Sequence, residues 1–199
     1  MVGKKLETWL IAILIFSMYS FMVTMTYFTP YLTNVLGITV VFTGGIAILR
    51  QYGMTLLGAP IGGFLADALK SPAKILRGVQ TIGVIGFVIL LCVSTMTAPM
   101  LIALMIILSA AVYIGRGCYY ATITEAGIPR ELTASTVGIA AAVGFSPDLF
   151  QFTLFGYWLD TFGNAAYTYM FVYQAVILCI GILATIAISR KKVKKATEK

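Results

Sequence analysis

The sequence contains no histidine and only three cysteines. A serine protease working inside a membrane pairs its nucleophile with a histidine base, so that chemistry is excluded. Cys92, Cys118 and Cys179 lie within apolar runs at no metal-ligand spacing and read as small buried hydrophobes. No metal and no other cofactor is expected. Acids are scarce too: seven, against fourteen lysines and arginines. Only Asp148 falls at the middle of an apolar run, whereas an aspartyl protease needs two facing carboxylates. No enzyme activity is expected. Charged residues of both signs make up 11% of the chain, against about 25% in soluble domains. The sequence also lacks a filter-like repeat or an acidic cluster able to form a ring, which argues against a channel.

Apolar sequence dominates instead, with 60% of residues hydrophobic. Six runs, roughly 6–29, 38–66, 75–94, 98–124, 132–159 and 165–189, match the roughly 20 residues needed to cross about 30 Å of hydrocarbon. The first run, WLIAILIFSMYSFMVTMTYF, is too long for a signal peptide and has no small-x-small cleavage site. The expected architecture is an all-α membrane protein forming one bundle over 1–199, with a basic tail at 190–199.

Basic residues set the expected orientation. With the N-terminus inside, the cytoplasmic segments hold Lys4, Lys5, Lys70, Lys74, Arg77, Arg130, Arg190, Lys191, Lys192, Lys194, Lys195 and Lys199, all but two of the basic residues. The outer segments PYLTNVLGIT (30–39) and STMTAPM (94–100) hold none. That asymmetry predicts both termini on the cytoplasmic side, and the expected location is the plasma (inner) membrane, as an integral multi-pass protein. The net charge of +7 therefore points to anionic lipid head groups rather than nucleic acid.

The two halves echo each other. GGFLAD (62–67) closes the second run and FGYWLD (155–160) the fifth. Each has a glycine followed four residues later by an aspartate, Gly63 with Asp67 and Gly156 with Asp160. Three runs per half make the second set inverted, an arrangement that transporters use around a midplane site. Gly58 and Gly62 add a small-xxx-small pattern suited to close helix approach.

GGFLADALKSPAKIL (62–76) resembles the cytoplasmic loop motif of the major facilitator superfamily, and IPRELTASTVGIAAAVG (128–144) resembles the segment that follows the family's tenth helix. The resemblance covers nearly the whole chain, as the C-terminal six-helix half of a twelve-helix transporter. It implies two inverted three-helix repeats, with the first and fourth helices lining a central cavity. Gly63, Asp67 and Lys74 would belong to the cytoplasmic gate, and Gly156 and Asp160 would be their outer counterparts. Ala68 stands where the family usually has a basic residue, and Thr133 where many members have arginine. Lys70, Lys74 and Arg130 are the candidates to supply that charge.

Two cations lie inside the runs. An arginine at bilayer centre costs about 2.5–3.5 kcal/mol on the mildest scale, so Arg50 is expected to face a cavity or a partner. Thr43, Ala47, Gly53, Met54 and Gly58 share its helix face. Arg116 sits among tyrosines, with Tyr113 and Tyr120 about one turn away on either side. Asp148 follows Pro147, which should loosen the helix together with Gly144, and Gln151 falls on the face of Asp148. The first run carries a polar stripe, Ser17, Ser20, Thr24, Tyr27 and Tyr31. Glu125 reads as a solvated boundary residue. The candidate substrate or coupling residues are thus Arg50, Arg116, Asp148, Gln151, Tyr27, Tyr113 and Tyr120.

Guanidinium groups bind carboxylate or phosphate with paired hydrogen bonds, so the expected solute is a small anion, an organic acid or a phosphorylated sugar. The expected function is symport or antiport by alternating access, with Asp148 as the proton-coupling group. A single six-helix bundle has no second wall to rock against. The expected partner is therefore a second bundle, from a homodimer or from a separate N-terminal half. A non-transporting assembly subunit, a fragment of a full-length carrier and a proton-coupled carrier of neutral solutes are the alternatives.

Overall fold

The computed structural model describes residues 5–92 and 96–197, with side chains as far as Arg190. Lys4, residues 94 and 95 of the expected outer loop, and the side chains of Lys191, Lys192, Lys194, Lys195 and Lys199 lie outside the described residues.

Among the described residues the chain is helical throughout: α1 (Leu6–Thr26), α2 (Phe28–Leu36), α3 (Val40–Ile48), a π-helical turn (Leu49–Gly53), α4 (Met54–Leu69), α5 (Pro72–Cys92), α6 (Ala98–Cys118), α7 (Thr122–Glu125), α8 (Arg130–Gly144), α9 (Pro147–Phe162) and α10 (Ala166–Thr197). Five stretches are long and apolar enough to cross a membrane: Leu6–Leu36, Val40–Leu69, Pro72–Cys92, Ala98–Glu125 and Arg130–Arg190. The last is 61 residues long and is broken twice. Gly144 ends α8, residues 145 and 146 turn, and Pro147 starts α9 at a position where its missing amide is not needed. Gly163, at φ 54°, then turns the chain from α9 towards α10, a conformation glycine adopts without a Cβ clash.

Helical structure reaches further than the sequence suggests on the outer side. Much of the expected loop 30–39 is α2, which continues to Leu36 and ends on Gly37 at φ 65°. Pro30 does not break it, because it sits in the first turn after the chain restarts at Phe28. At the other end α10 carries the backbone helix through the expected tail as far as Thr197.

The first stretch is the most buried, and it is the hub of the bundle. α1 packs on α8, α9, α10 and α6, while α5 lies along α10 and α4 along α6. Two apolar clusters fill the space: one around Ile11, Ile15, Leu76 and Ile123, the other around Phe21, Phe28, Phe87, Leu108 and Phe171. The second stretch is the opposite case. Only Thr43, Arg50, Gly58, Gly62 and Ala66 are buried along it.

Three of the contacts between α4 and α6 involve backbone. A Cβ on Gly62 would run into the carbonyl oxygen of Ile114, one on Gly117 into that of Ala59, and one on Gly58 into Tyr113. The small-xxx-small pattern is thus a seam that brings two helices into direct main-chain contact.

Candidate functional site

The site builds outward from α1. Its serine and threonine stripe, expected to line a cavity, is instead turned into the bundle. Ser20 and Thr24 donate to Gln174 Oε1 at 2.9 and 2.8 Å. Gln151 Nε2 donates to Thr24 Oγ1 at 2.9 Å and to the Ser20 carbonyl at 3.2 Å. Gln80 Nε2 donates to Ser17 Oγ at 2.8 Å. All six side chains are buried. Polar groups with no water to bind must find each other, and the glutamines of α5, α9 and α10 meet the α1 hydroxyls. Gln151 therefore belongs to the interior rather than to an open site. Tyr27 and Tyr31 are half-buried, the Tyr27 hydroxyl donating to the Phe152 carbonyl at 3.2 Å and the Tyr31 ring packing on Phe171.

The other face of α1 carries Phe16, Tyr19, Met22 and Thr26, which are part-exposed or exposed. Tyr19 is the residue that sequence reasoning missed. Its hydroxyl donates to Asp148 Oδ2 at 2.5 Å, and its ring packs on Phe145 with centroids 4.7 Å apart. It also lines a narrow cleft with Met18, Met22, Val112, Arg116 and Tyr119. The break at 145–146 permits this, because it puts Asp148 in the first turn of α9, pointing out of the bundle. A spacing of three and four along FSMYSFM, offset from the hydroxyl stripe, is the signal that could have found Tyr19.

Arg116 and Asp148 are both exposed, and Tyr19 stands between them. Arg116 Nη1 meets the thioether of Met22 at 3.2 Å, a weak acceptor that leaves most of its five donors open. The expected tyrosine neighbours are rearranged. Tyr119 rather than Tyr113 lines the cleft with Arg116, because Tyr113 packs on Gly58 of α4 and gives its hydroxyl to Gln51. Tyr120, 37% exposed, stacks edge-on against Tyr119 at 4.5 Å.

Arg50 is held differently. It is 8% exposed, and its Nη1 donates to the Met25 carbonyl of α1 at 2.6 Å. Asp148, by contrast, accepts from Tyr19. The π-helical turn gives the local reason: its extra residue shifts the helix register, so that Arg50 points inward while Gln51 accepts the Tyr113 hydroxyl at 2.5 Å. Arg50 and Tyr113 therefore brace α1, the π turn and α6.

At the far end of α4, Asp67, Lys70, Ala66, Pro72, Ala121, Thr124, Glu125 and Gly127 line an open groove of about 600 Å³. Lys74 does not line it; it is exposed one turn into α5. Glu125 is buried, not solvated as expected. It accepts from the Ser71 hydroxyl at 2.6 Å and from the Ala73 amide at 2.8 Å. The first amides of a helix have no partner within it, and a carboxylate there also meets the positive end of the helix dipole. Gly63 and Gly156 share one property: among the described residues nothing lies within 4 Å of where a Cβ would be on either. Neither is a close-packing glycine within this chain. Asp67 and Asp160 are both exposed.

Neither a family model nor a solved structure matches the chain. Two curated proteins of Escherichia coli (strain K12) do. It is 32% identical to inner membrane protein YihN over 160 residues, 79% of this chain and 38% of that protein. It is 29% identical to inner membrane protein YqcE over 189 residues, 92% of this chain and 44% of that protein. The matched regions thus span about two fifths of the length of these relatives.

Proposed function

We propose that the chain is a multi-pass inner-membrane protein and one six-helix half of a major facilitator transporter. It moves a small anionic solute by alternating access once paired with a second six-helix bundle. The observation that carries the reading is the meeting of Arg116, Tyr19 and Asp148 on a face that the chain itself leaves uncovered. An arginine with open donors beside an aspartate is costly at bilayer depth unless water or a ligand reaches it.

The order of packing supports six crossings in two inverted repeats. Taking α1–α2, α3–α4, α5, α6–α7, α8–α9 and α10 as successive crossings, the first packs on the fifth and the second on the fourth. The first also packs on the sixth and the fourth on the third. Exchanging first with fourth, second with fifth and third with sixth maps that pattern onto itself. The names of the relatives support the membrane, and their greater length leaves room for a second bundle.

In this reading Arg116 grips the carboxylate or phosphate of the solute, and Tyr120 borders it. Asp148 exchanges the coupling proton, with the Tyr19 hydroxyl as its hydrogen-bond partner. Arg50, Tyr113, Tyr27 and Gln151 hold the frame from inside. Gly63 and Asp67 at one end and Gly156 and Asp160 at the other are the surfaces on which the second bundle closes, which suits glycines with open space above them. Lys74 stands outside the groove beside Asp67 and acts on the gate only through α5.

The test is counterflow uptake, in vesicles carrying the chain, of a panel of radiolabelled organic acids and sugar phosphates. Saturable uptake of at least one that disappears in Arg116→Gln supports the reading. Absence of uptake across the panel by chain assembled with its second bundle, or full uptake by Arg116→Gln, overturns it.

A further inference from the structure

The ends of α5 and α10 carry a cationic cluster of which Arg77 and Arg190 have no role in the proposed transport. Arg77 is half-buried between the two helices, and its Nη2 donates to Ser189 Oγ at 3.0 Å. Among the described residues its Nε is buried without a hydrogen-bond partner. A charged donor left so costs more than a neutral one, which makes the position expensive unless an acceptor from outside the chain reaches the group. Lys74, one turn before Arg77, and Arg190, next to Ser189, are both exposed at the same end. Neither α5 nor the described length of α10 contains an acid.

The surface leading to this cluster is apolar. On α5, Ile82, Ile85 and Val88 are exposed at helical spacing, and on α10 so are Val176, Ile180 and Leu183. Each stripe ends in a cation, Lys74 on one helix and Arg190 on the other. The helices run antiparallel in close contact, and a Cβ on Gly83 would press on Leu178. The result is a paired track of hydrocarbon-facing side chains that finishes under three positive groups at one membrane boundary.

We propose that this is a binding site for one anionic glycerophospholipid. Its phosphodiester accepts from Arg77 between Lys74 and Arg190, and its acyl chains lie along the exposed stripes of α5 and α10. The charge matches a phosphate and the apolar track matches its tails, a combination that a free phosphate does not use. Basic pockets between helices at a cytoplasmic boundary recognise head groups in this way. The site includes neither Arg116 nor Asp148, and Lys74 is the one residue it shares with the proposed gate.

The full chain, purified in detergent, is titrated with phosphatidylglycerol, with phosphatidylcholine and with inorganic phosphate, and bound lipid is counted by native mass spectrometry alongside thermal unfolding. Phosphatidylglycerol should bind about tenfold more tightly than phosphatidylcholine. Arg77→Gln should remove the preference. The double variant Lys74→Gln with Arg190→Gln changes only exposed side chains and should cut the preference about fivefold while leaving the lipid-free unfolding temperature in place. Equal binding of the two lipids overturns the proposal. So does an unchanged preference in the double variant, which would assign the effect to the lysines beyond Arg190. Inorganic phosphate that displaces phosphatidylglycerol at equal concentration overturns it as well.

Discussion

Arg50 and Arg116 bring the same guanidinium into different surroundings, and substitution separates what each does. Arg50 is covered and bonded to the Met25 carbonyl. Arg50→Gln removes the guanidinium's bond to that carbonyl, at a cost of about 1–3 kcal/mol, and should lower the unfolding temperature in detergent. Arg116 is exposed and bound to a thioether. Arg116→Gln should leave unfolding unchanged while anion uptake falls at least about tenfold, the loss of one charge-assisted hydrogen bond of about 1.5–3 kcal/mol. Glu125 supplies a third case. Because it caps the first turn of α5 through Ser71 and Ala73, Glu125→Ala should destabilise by about 1–3 kcal/mol, read by thermal unfolding. A solvated boundary carboxylate would give no shift.

At the scale of elements, glycines with the same sequence context divide by what lies above them. Gly62→Ala and Gly117→Ala drive a methyl into a facing main-chain carbonyl and should cost about 1–3 kcal/mol or more, with loss of folded yield. Gly63→Ala and Gly156→Ala meet open space and should leave stability within about 0.5 kcal/mol while reducing uptake. The seam was legible in the sequence, because Gly58 and Gly62 fall at a spacing that small residues use for close approach. So was the break before Asp148, since a proline cannot continue the ladder. The π turn was not legible: an inserted residue leaves no trace in composition, yet it sets where Arg50 points. The hydroxyl stripe of α1 misled for a related reason. A serine or threonine reads alike whether it meets water or a buried glutamine, and the glutamines that decide the matter lie more than fifty residues away.

At the scale of the whole molecule, the uncovered face carrying Asp148, Tyr19 and Arg116, with the long exposed flank of α3 and α4, is the surface on which the proposed second bundle would sit. Purified chain should run in detergent at the mass of two bundles, as a pair of copies or with a separate half, by light scattering corrected for bound detergent. A single copy without a co-purifying protein would end the pairing proposal.

The main-chain seam between α4 and α6 has a mechanical consequence. Carbonyl oxygens seated in glycine notches resist sliding as a toothed rack does, since any slip must lift one helix over the other. In the proposed transport cycle the two helices would swing together as a stiff lever, with the Asp67 groove at one arm and the Arg116 cleft along the other. Spin labels on α4 and α6 should keep a constant separation through the cycle, while either label moves relative to α10.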